Sequence, residues 1–327
     1  MTAITVRDDT HWRDLRRAHI GASEVSSLFG LSPYLTEWQL WMMKSGRLPE
    51  PDLDDVAHIR AGRHFEPAIS AYAQEKFGIT LRKVRRYLSD DICTGMGASL
   101  DYEQIGTGSL IPTEIKWSVF GDGWEYEGDV ITSAPEQYLI QVQQQIACAG
   151  ARRAQVIAYI SGDARRMIVD RREPIIDSLR EQIAAFWTSI RAGKEPDPDF
   201  VADADAISTL AFLNPLCQID LSGDEEAARL AALHVAAKAE AKEAGDRSTA
   251  AKAELTLKLL RMAMEAGATV DEQKIIAAIG DDYRVTATNV AETAGKTVTE
   301  DMVGEVIGGR KGYRLVTISQ PKKKCAK

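Results

Sequence analysis

The sequence predicts an α/β (α+β) protein in which a mixed central sheet is flanked by helices. Two observations support this fold class. Helical patterns come first, a meander of strand patterns follows, and a helix, two strands and a long helix complete the first 200 residues. Strands and helices do not alternate strictly, which argues against a purely parallel βαβ sheet. A helical hairpin and a small β-containing appendage are predicted to follow.

Capping patterns predict the first helices. In "GASEVSSLFG", Ser23 is predicted to be the N-cap of a helix that ends before Gly30. Thr36 begins a capping-box pattern, which predicts a second helix at about residues 37–45. The segment "GRHFEPAISAYAQEKFG" has an amphipathic stripe, and its proline suits a first helical turn. Glu66 is therefore expected where this third helix begins.

Strand patterns dominate the next segment. Residues 79–88 and 92–102 predict two strands, and "IPTEIKW" at residues 111–117 predicts a third after the glycine-rich turn "GTGS". Two further strands are predicted at residues 154–160 and 165–170.

Two helices surround this last strand pair. Ser133 and Glu136 have capping-box spacing, so a helix is predicted over residues 133–150, with its glutamines largely beside the apolar stripe. A long core helix is predicted over residues 173–193.

The composition changes at "GKEPDPDF", which is proline-rich, acidic and typical of a domain edge. The predicted division is a first domain at residues 1–200, a linker at residues 201–223 and a C-terminal part at residues 224–327. Alanine, glutamate and lysine predict a helical hairpin over residues 224–266, broken at "EAGDRST". β-branched stretches beyond it predict a small β-containing appendage, and "PKKKCAK" predicts a disordered tail.

Composition excludes several classes of protein. The 327 residues are 45% hydrophobic, without the ~20-residue apolar run of a membrane span. The N-terminal segment lacks the apolar centre of a secretion signal, so a cytoplasmic location is expected. The four cysteines and five histidines lack metal-ligand spacing, which leaves carboxylates as candidate ligands. A net charge of −8 argues against coating nucleic acid through overall charge. Arginine clusters, including "LRKVRRYL", are either solvated faces or parts of a local basic groove.

The strand "IPTEIKW" carries the first candidate site. Glu114 and Lys116 share one of its faces, because strand side chains alternate. An edge strand with a solvated ion pair is one interpretation. The other depends on Asp101, which precedes Glu114 by thirteen residues and could reach it across a hairpin.

Two carboxylates and a backbone carbonyl can form the oxygen-rich shell that Mg²⁺ prefers, and Mn²⁺ is also possible. The candidate ligands are Asp101, Glu114, the backbone carbonyl of Ile115, and Glu66 from its helix. Lys116 could orient or deprotonate water, or stabilise the charge on a phosphate.

The order Asp, then Glu-x-Lys, is similar to the PD-(D/E)xK nuclease superfamily. Five ordered segments resemble the YqaJ and lambda-exonuclease family of phage recombination nucleases, namely "WRDLRRAHIGASEV", "GRHFEP", "SLDY", "TEIKW" and "PEQYLIQVQQQ". The resemblance covers roughly the first 190 residues and implies a restriction-endonuclease-like core. The sequence departs from the superfamily signature at Leu100, where proline is common, and the resemblance does not account for residues 200–327.

The resemblance also implies roles for particular residues. Asp101 and Glu114 match metal-binding carboxylates, Lys116 the catalytic lysine and Glu66 an additional acidic residue. Gln141 matches a glutamine held near the lysine and the nucleophilic water. The alternative interpretation of Gln141 is a surface residue of its helix.

Arg16 and Ser23 match a pocket for the 5′-phosphate of a DNA end. A helix N-terminus and a guanidinium group suit an anion. The alternative is a simple cap and a solvated arginine.

The implied function is a Mg²⁺-dependent exonuclease that degrades double-stranded DNA from 5′ to 3′ and leaves 3′ single strands. A single-strand annealing protein, a trimeric ring and a phage or prophage gene in a bacterial host are implied as well. The alternatives are an endonuclease or 3′ to 5′ trimming nuclease on the same fold, and a non-catalytic DNA-binding or assembly protein.

Overall fold

The computed structural model describes residues 2–51, 56–213, 220–267, 274–280, 283–290, 296–297, 306–307 and 313–319. They divide into two compact units, residues 1–216 and residues 217–327, and each is described by itself. The predicted domain limits at residues 200 and 224 stay a prediction. In the part of the chain that is described, no helix is both long and apolar enough to cross a membrane.

Two sheets form in the first unit. Its described strands are β1 (Thr2–Thr5), β2 (Ile20–Gly21), β3 (Thr80–Lys83), β4 (Arg86–Ser89), β5 (Met96–Ser99), β6 (Tyr102–Ile105), β7 (Ile111–Ser118), β8 (Glu125–Glu127), β9 (Val130–Ser133), β10 (Arg153–Ile160) and β11 (Asp163–Asp170). The larger sheet has the order β3-β6-β7-β10-β11-β9-β8, and the smaller has the order β1-β4-β5-β2. In the larger sheet, β7–β10 and β11–β9 are parallel and the other pairs are antiparallel. The predicted mixed sheet is confirmed, and β7 is an interior strand rather than an edge strand.

Helices cover both faces of the larger sheet. The described helices of this unit are α1 (Asp9–Arg17), a 3₁₀ helix (Val25–Phe29), α2 (Glu37–Lys44), α3 (Ala57–Phe77), α4 (Glu136–Ala149), α5 (Glu173–Ala192) and α6 (Ala204–Leu213). On one face, Ile69 and Ala73 of α3 pack with Ile115 and Ile157. The main core lies on the other face, where α4 packs against β10 and α5 packs against α4. Burying each such aliphatic side chain contributes about 1.5–3 kcal/mol, so the sheet is anchored from both sides.

The predicted strands at residues 79–88 and 92–102 are each divided in two. The chain leaves the larger sheet after β3, forms β4 and β5 in the smaller sheet, and returns to the larger sheet at β6. Buried residues continue through both crossings, at Val84 and at Leu100, so the sequence does not show where a strand changes sheets. The short strands β1, β8 and β9 and the helix α1 were not predicted.

Two of the predicted caps are wrong. Ser23 does not cap an α-helix, because the segment forms a five-residue 3₁₀ helix whose first residue is Val25 and which has no side-chain cap. Ser133 is the last residue of β9, and α4 begins at Glu136 without a side-chain cap. The cap at Thr36 is confirmed, since its side chain accepts a hydrogen bond from the backbone N–H of Gln39.

The third helix begins earlier than predicted. α3 starts at Ala57, so Pro67 lies inside the helix and Glu66 lies near its middle rather than at its beginning. A proline inside a helix removes one backbone hydrogen bond and disfavours the preceding turn. The buried Ile69 and Ala73 on the following turns help to hold the helix against the sheet despite this cost. The helices predicted at residues 37–45 and 173–193, and the strands at residues 154–160 and 165–170, are confirmed.

Residues 225–265 of the second unit form one long helix, so the predicted hairpin is wrong. α7 (Glu225–Glu265) continues through "EAGDRST". Glycine inside a helix costs only about 1 kcal/mol relative to alanine, and strong helix formers surround Gly245. Glu243 and Arg247 form an ion pair at 2.7 Å with i,i+4 spacing across the predicted break, which favours continuity.

The predicted β-containing appendage is confirmed. β12 (Lys274–Ile279), β13 (Tyr283–Val290) and a strand at Tyr313–Ser319 form an antiparallel sheet, and β14 (Lys296–Thr297) pairs with β15 (Val306–Ile307). The "PKKKCAK" tail lies outside the described residues.

Candidate active site

The two predicted carboxylates lie on neighbouring parts of the larger sheet. Asp101 occupies the bend between β5 and β6, and Glu114 lies on β7. The antiparallel pairing places Tyr102 opposite Thr113, and this hairpin brings the acidic residues together. The Oδ2 atom of Asp101 accepts a hydrogen bond from the backbone N–H of Ile115 at 3.0 Å. This contact fixes Asp101 directly beside the strand that carries Glu114.

Three side-chain donors hold the carboxylate of Glu114, which is only 4% exposed. Its Oε1 atom accepts hydrogen bonds from Nζ of Lys116 at 2.6 Å and from Nε2 of Gln141 at 2.7 Å. Its Oε2 atom accepts from Nε2 of Gln145 at 2.6 Å. Hydrogen bonds to an ionised acceptor are short and strong, so these contacts fix the orientation of the carboxylate.

Lys116 connects the carboxylate to the neighbouring helix. Its Nζ atom also lies 3.3 Å from Oε1 of Gln141, and 4.5 Å from the centre of the Tyr138 ring. Burial disfavours the ammonium form, but the negative charges of Glu114 and Asp101 outweigh it and raise the pKa of Lys116. Lys116 is therefore a positively charged donor near neutral pH.

The acidic groups of the site disfavour one another. Burial, followed by the charges of Glu114 and Glu66, raises the pKa of Asp101 well above its ordinary value. Lys116 and the backbone N–H of Ile115 lower it by smaller amounts. A cation at this position would relieve the repulsion, which is a physical reason to expect one.

The third predicted acidic residue, Glu66, lies on α3 and faces the same groove. Its Oε1 atom forms an ion pair with Nζ of Lys83. The groove has a volume of about 710 Å³, and its lining includes Glu66, Asp101, Glu114 and Lys116. Tyr34 and Phe120 also line it and are highly exposed. The four charged side chains therefore share one opening to solvent.

The donor set fits a hard cation with oxygen ligands. Asp101, Glu114 and Ile115 line the groove together, so the two carboxylates and the residue predicted to supply a backbone carbonyl share one groove. Within the described ranges, no cluster of three or more histidine, cysteine, aspartate or glutamate side chains is placed to hold one ion. Water would have to complete the coordination, as is usual for Mg²⁺.

Four glutamines of α4, namely Gln141 and Gln143 to Gln145, are buried rather than beside the apolar stripe, and two of them bond to the backbone of neighbouring strands. Gln144 donates to the backbone carbonyls of Ile20 and Gly97, both at 2.8 Å. Gln143 donates to the carbonyl of Asp170 at 2.8 Å and accepts from a neighbouring N–H. These contacts attach α4 to both sheets, because buried amides need hydrogen-bond partners.

Sequence reasoning missed Gln145, which contacts Glu114 directly. It is 1% exposed and lies four residues after Gln141, on the same side of the helix. Its Nε2 atom also lies 3.4 Å from the carbonyl oxygen of Ser99, two residues before Asp101. The i,i+4 spacing of Gln141 and Gln145 in "QVQQQ" indicates that the two side chains share one side of the helix. Using that spacing to predict the contact would also require knowing that this side faces Glu114.

Arg16 belongs to a separate ionic cluster near the N-terminus, and Ser23 directly precedes another member of that cluster, Glu24. Nη2 of Arg16 forms an ion pair with Oε1 of Glu24 at 2.7 Å, and Nζ of Lys44 contacts Oε2 of Glu24 at 2.9 Å. Ser23 is exposed in the turn before the 3₁₀ helix. The helix N-terminus invoked for phosphate binding is therefore missing, and two cations around one carboxylate are the remaining support for an anion site.

Fold and site together define a mixed α/β protein with an acidic groove and a lysine held over one carboxylate. Residues 11–152 match the family described as the YqaJ-like viral recombinase domain. This part of the chain is therefore similar to a YqaJ-like viral recombinase domain.

Individual relatives are distant. The uncharacterized protein YqaJ of Bacillus subtilis (strain 168) is 24% identical over 194 residues, which is 58% of this chain and 58% of that protein. An alkaline exonuclease from Laribacter hongkongensis is 15% identical, and the structural match, with a TM-score of 0.41, covers 61% of this chain and 100% of that chain. A phage related exonuclease from Haemophilus somnus 129PT is 12% identical, with coverages of 53% and 93% and a TM-score of 0.37.

Proposed function

We propose that this protein is a metal-dependent deoxyribonuclease which hydrolyses the phosphodiester bonds of double-stranded DNA. The proposal specifies a 5′ to 3′ exonuclease that leaves 3′ single strands for phage-type recombination. The supporting observation is the fixed Lys116–Glu114–Gln141 contact beside Asp101, in a groove lined by residues of the segment that matches the YqaJ-like viral recombinase domain.

Each residue has a distinct proposed role. Asp101, Glu114 and the carbonyl of Ile115 would hold Mg²⁺, or Mn²⁺, and Glu66 would be a further ligand. When bound, the ion supplies activation of water and neutralises charge on the phosphate. Lys116 stabilises negative charge on the phosphate, because its raised pKa makes it a donor rather than a base near neutral pH. Gln141 orients Lys116 and the attacking water.

The proposed DNA end site uses Arg16 and Ser23. Arg16 already contacts Glu24, but Lys44 contacts the same carboxylate, so the three side chains keep one positive charge in excess. That excess supports binding of the 5′-phosphate, and the exposed Ser23 hydroxyl could donate a further hydrogen bond. A single-strand annealing protein as partner, a trimeric ring and a location in the cytoplasm of a bacterial host are further parts of the proposal that rest on the family resemblance.

Digestion of end-labelled linear duplex DNA tests chemistry and polarity together. With Mg²⁺ we expect mononucleotides to be released from 5′ ends, faster from a 5′-phosphate than from a 5′-hydroxyl, and EDTA to stop the release. Closed circular DNA should stay intact. Cutting of circles with equal use of both 5′ ends would indicate an endonuclease, and earlier release of a 3′ label would indicate the opposite polarity. Absence of any hydrolysis with Mg²⁺ or Mn²⁺ would leave a non-catalytic DNA-binding protein.

Replacing Gln145 by leucine is expected to lower the rate of nucleotide release about 10- to 100-fold, the range for losing a hydrogen bond to a charged group. The substitution removes the donor to Oε2 of Glu114, whereas Oε1 of Gln145 has no protein partner to lose. The measurement is the single-turnover rate as a function of Mg²⁺ concentration, and the Mg²⁺ concentration at half-saturation should also rise.

Gln143→Leu is the matched control, because Gln143 lies on the same helix and bonds only to backbone groups away from Glu114. Its rate should stay close to that of the parent once folding is verified. Equal losses in both variants would show that the helix, rather than the Glu114 contact, is responsible.

A further inference from the structure

Four cationic side chains, Arg82, Lys83, Arg85 and Arg86, form a surface that we call the basic strip. It comprises the end of β3, the link that follows and the first residue of β4. The side chains of Arg82 and Lys83 are 62% and 49% exposed, and Arg85 is exposed as well. β3 is an edge strand, where cations often serve only to prevent edge-to-edge pairing. The residues around the basic strip indicate whether it also has a role in binding.

The basic strip adjoins the candidate active site. The backbone N–H of Val84, in the middle of the strip, donates to the carbonyl oxygen of Asp101 at 3.2 Å. Nζ of Lys83 forms an ion pair with Glu66, which lines the groove. The strip and the acidic groove are therefore two parts of one continuous surface.

A buried carboxylate organises two of the arginines. Glu103 is 2% exposed, and it accepts hydrogen bonds from Nε of Arg82 and Nη2 of Arg86, both at 2.7 Å. Two guanidinium groups share this single negative charge, so the group stays positive. Arg85 forms no ion pair with any described residue. Fixing side chains in advance reduces the entropy that a ligand must offset on binding.

We propose that the basic strip binds the phosphate backbone of the duplex DNA that enters the groove, an inference that rests on the proposed nuclease function. Duplex DNA carries about one negative charge per 1.7 Å of axis, and the carboxylates of Glu66, Asp101 and Glu114 repel it. Cations immediately beside those carboxylates offset the repulsion where the backbone must approach. In a chain with a net charge of −8, this attraction has to be local.

The salt dependence of DNA binding tests the proposal. Lys83→Ala and Arg85→Ala are suitable variants, because neither removes a partner of the buried Glu103. Removing one cation that binds a phosphate should reduce the slope of log K against log salt by about 0.9. The affinity deficit of each variant should therefore grow about threefold when salt is lowered from about 200 mM to about 50 mM. Binding is measured in EDTA with a linear duplex, so that cleavage does not interfere.

Arg153→Ala is the matched control. Arg153 is 55% exposed and pairs with Asp170 at 3.5 Å, much as Lys83 pairs with Glu66. It begins β10, five residues before the position that pairs with Lys116, which places it roughly 16 Å further along the strand. Its slope should equal that of the parent.

Three results would overturn the proposal: unchanged slopes in both strip variants, equal slope changes in the control, or no binding of the parent at low salt. The nuclease function is judged separately, by nucleotide release with Mg²⁺ from the parent. If the parent releases nucleotides and the strip variants bind DNA with the same salt dependence as the parent, the proposal for the basic strip is wrong and the nuclease function stands.

Discussion

Lys116→Ala is expected to reduce Mg²⁺-dependent nucleotide release by about 10²–10⁴-fold, the range for removing a group that acts directly on the reacting atoms. The Nζ atom of Lys116 is held by Glu114 and Gln141, and no other described lysine contacts this carboxylate. The fall should appear in the single-turnover rate, whereas DNA binding in EDTA should change much less.

A matched control is Lys76→Ala. Lys76 is 16% exposed, similar to the 20% of Lys116, and it also forms close ion pairs, with Asp129 and Asp163. These contacts lie on residues that do not line the groove. If Lys116→Ala retained the activity of the Lys76→Ala protein, the proposed site would be wrong.

The parts of the site that could be predicted depend on local spacing. Strand alternation placed Glu114 and Lys116 on one face, and a hairpin of ordinary length placed Asp101 beside them. Both follow from backbone geometry over fewer than about twenty residues. The orientation of α4 does not follow from local backbone geometry, because it is set by packing against both sheets. For this reason the contact between Gln145 and Glu114 was not predicted.

The errors in the fold have a related cause. The positions where the chain crosses from one sheet to the other are not visible in the hydrophobic pattern of the sequence, so β3 and β4 were predicted as one strand. Local breakers were also given too much weight: Pro67 lies inside α3 and Gly245 lies inside α7. In each case, packing or nearby strong helix formers outweigh the local cost, which is about 3 kcal/mol or more for the proline and about 1 kcal/mol for the glycine.

Glu24→Gln is expected to destabilise the first unit by about 3–5 kcal/mol at neutral pH, the range for removing one partner of a buried ion pair. The side chain of Glu24 is 12% exposed, and that of its partner Lys44 is 3% exposed. Glutamine keeps the shape but leaves the charges of the buried Lys44 and the partly buried Arg16 without an anion. Urea unfolding, monitored by tryptophan fluorescence, measures the loss.

The pH dependence of this loss identifies its electrostatic origin. Burial opposes the charged form of Glu24, but the charges and hydrogen bonds of Lys44 and Arg16 outweigh it, so its pKa is lowered. A lowered pKa contributes stability that is complete above the unfolded pKa of about 4.3 and is lost as the pH falls through the folded value. The difference between the parent and Glu24→Gln should therefore shrink below about pH 4. Glu173→Gln removes an exposed ion pair with Arg171 and should leave stability nearly unchanged. A difference that does not depend on pH would instead indicate lost packing around Glu24.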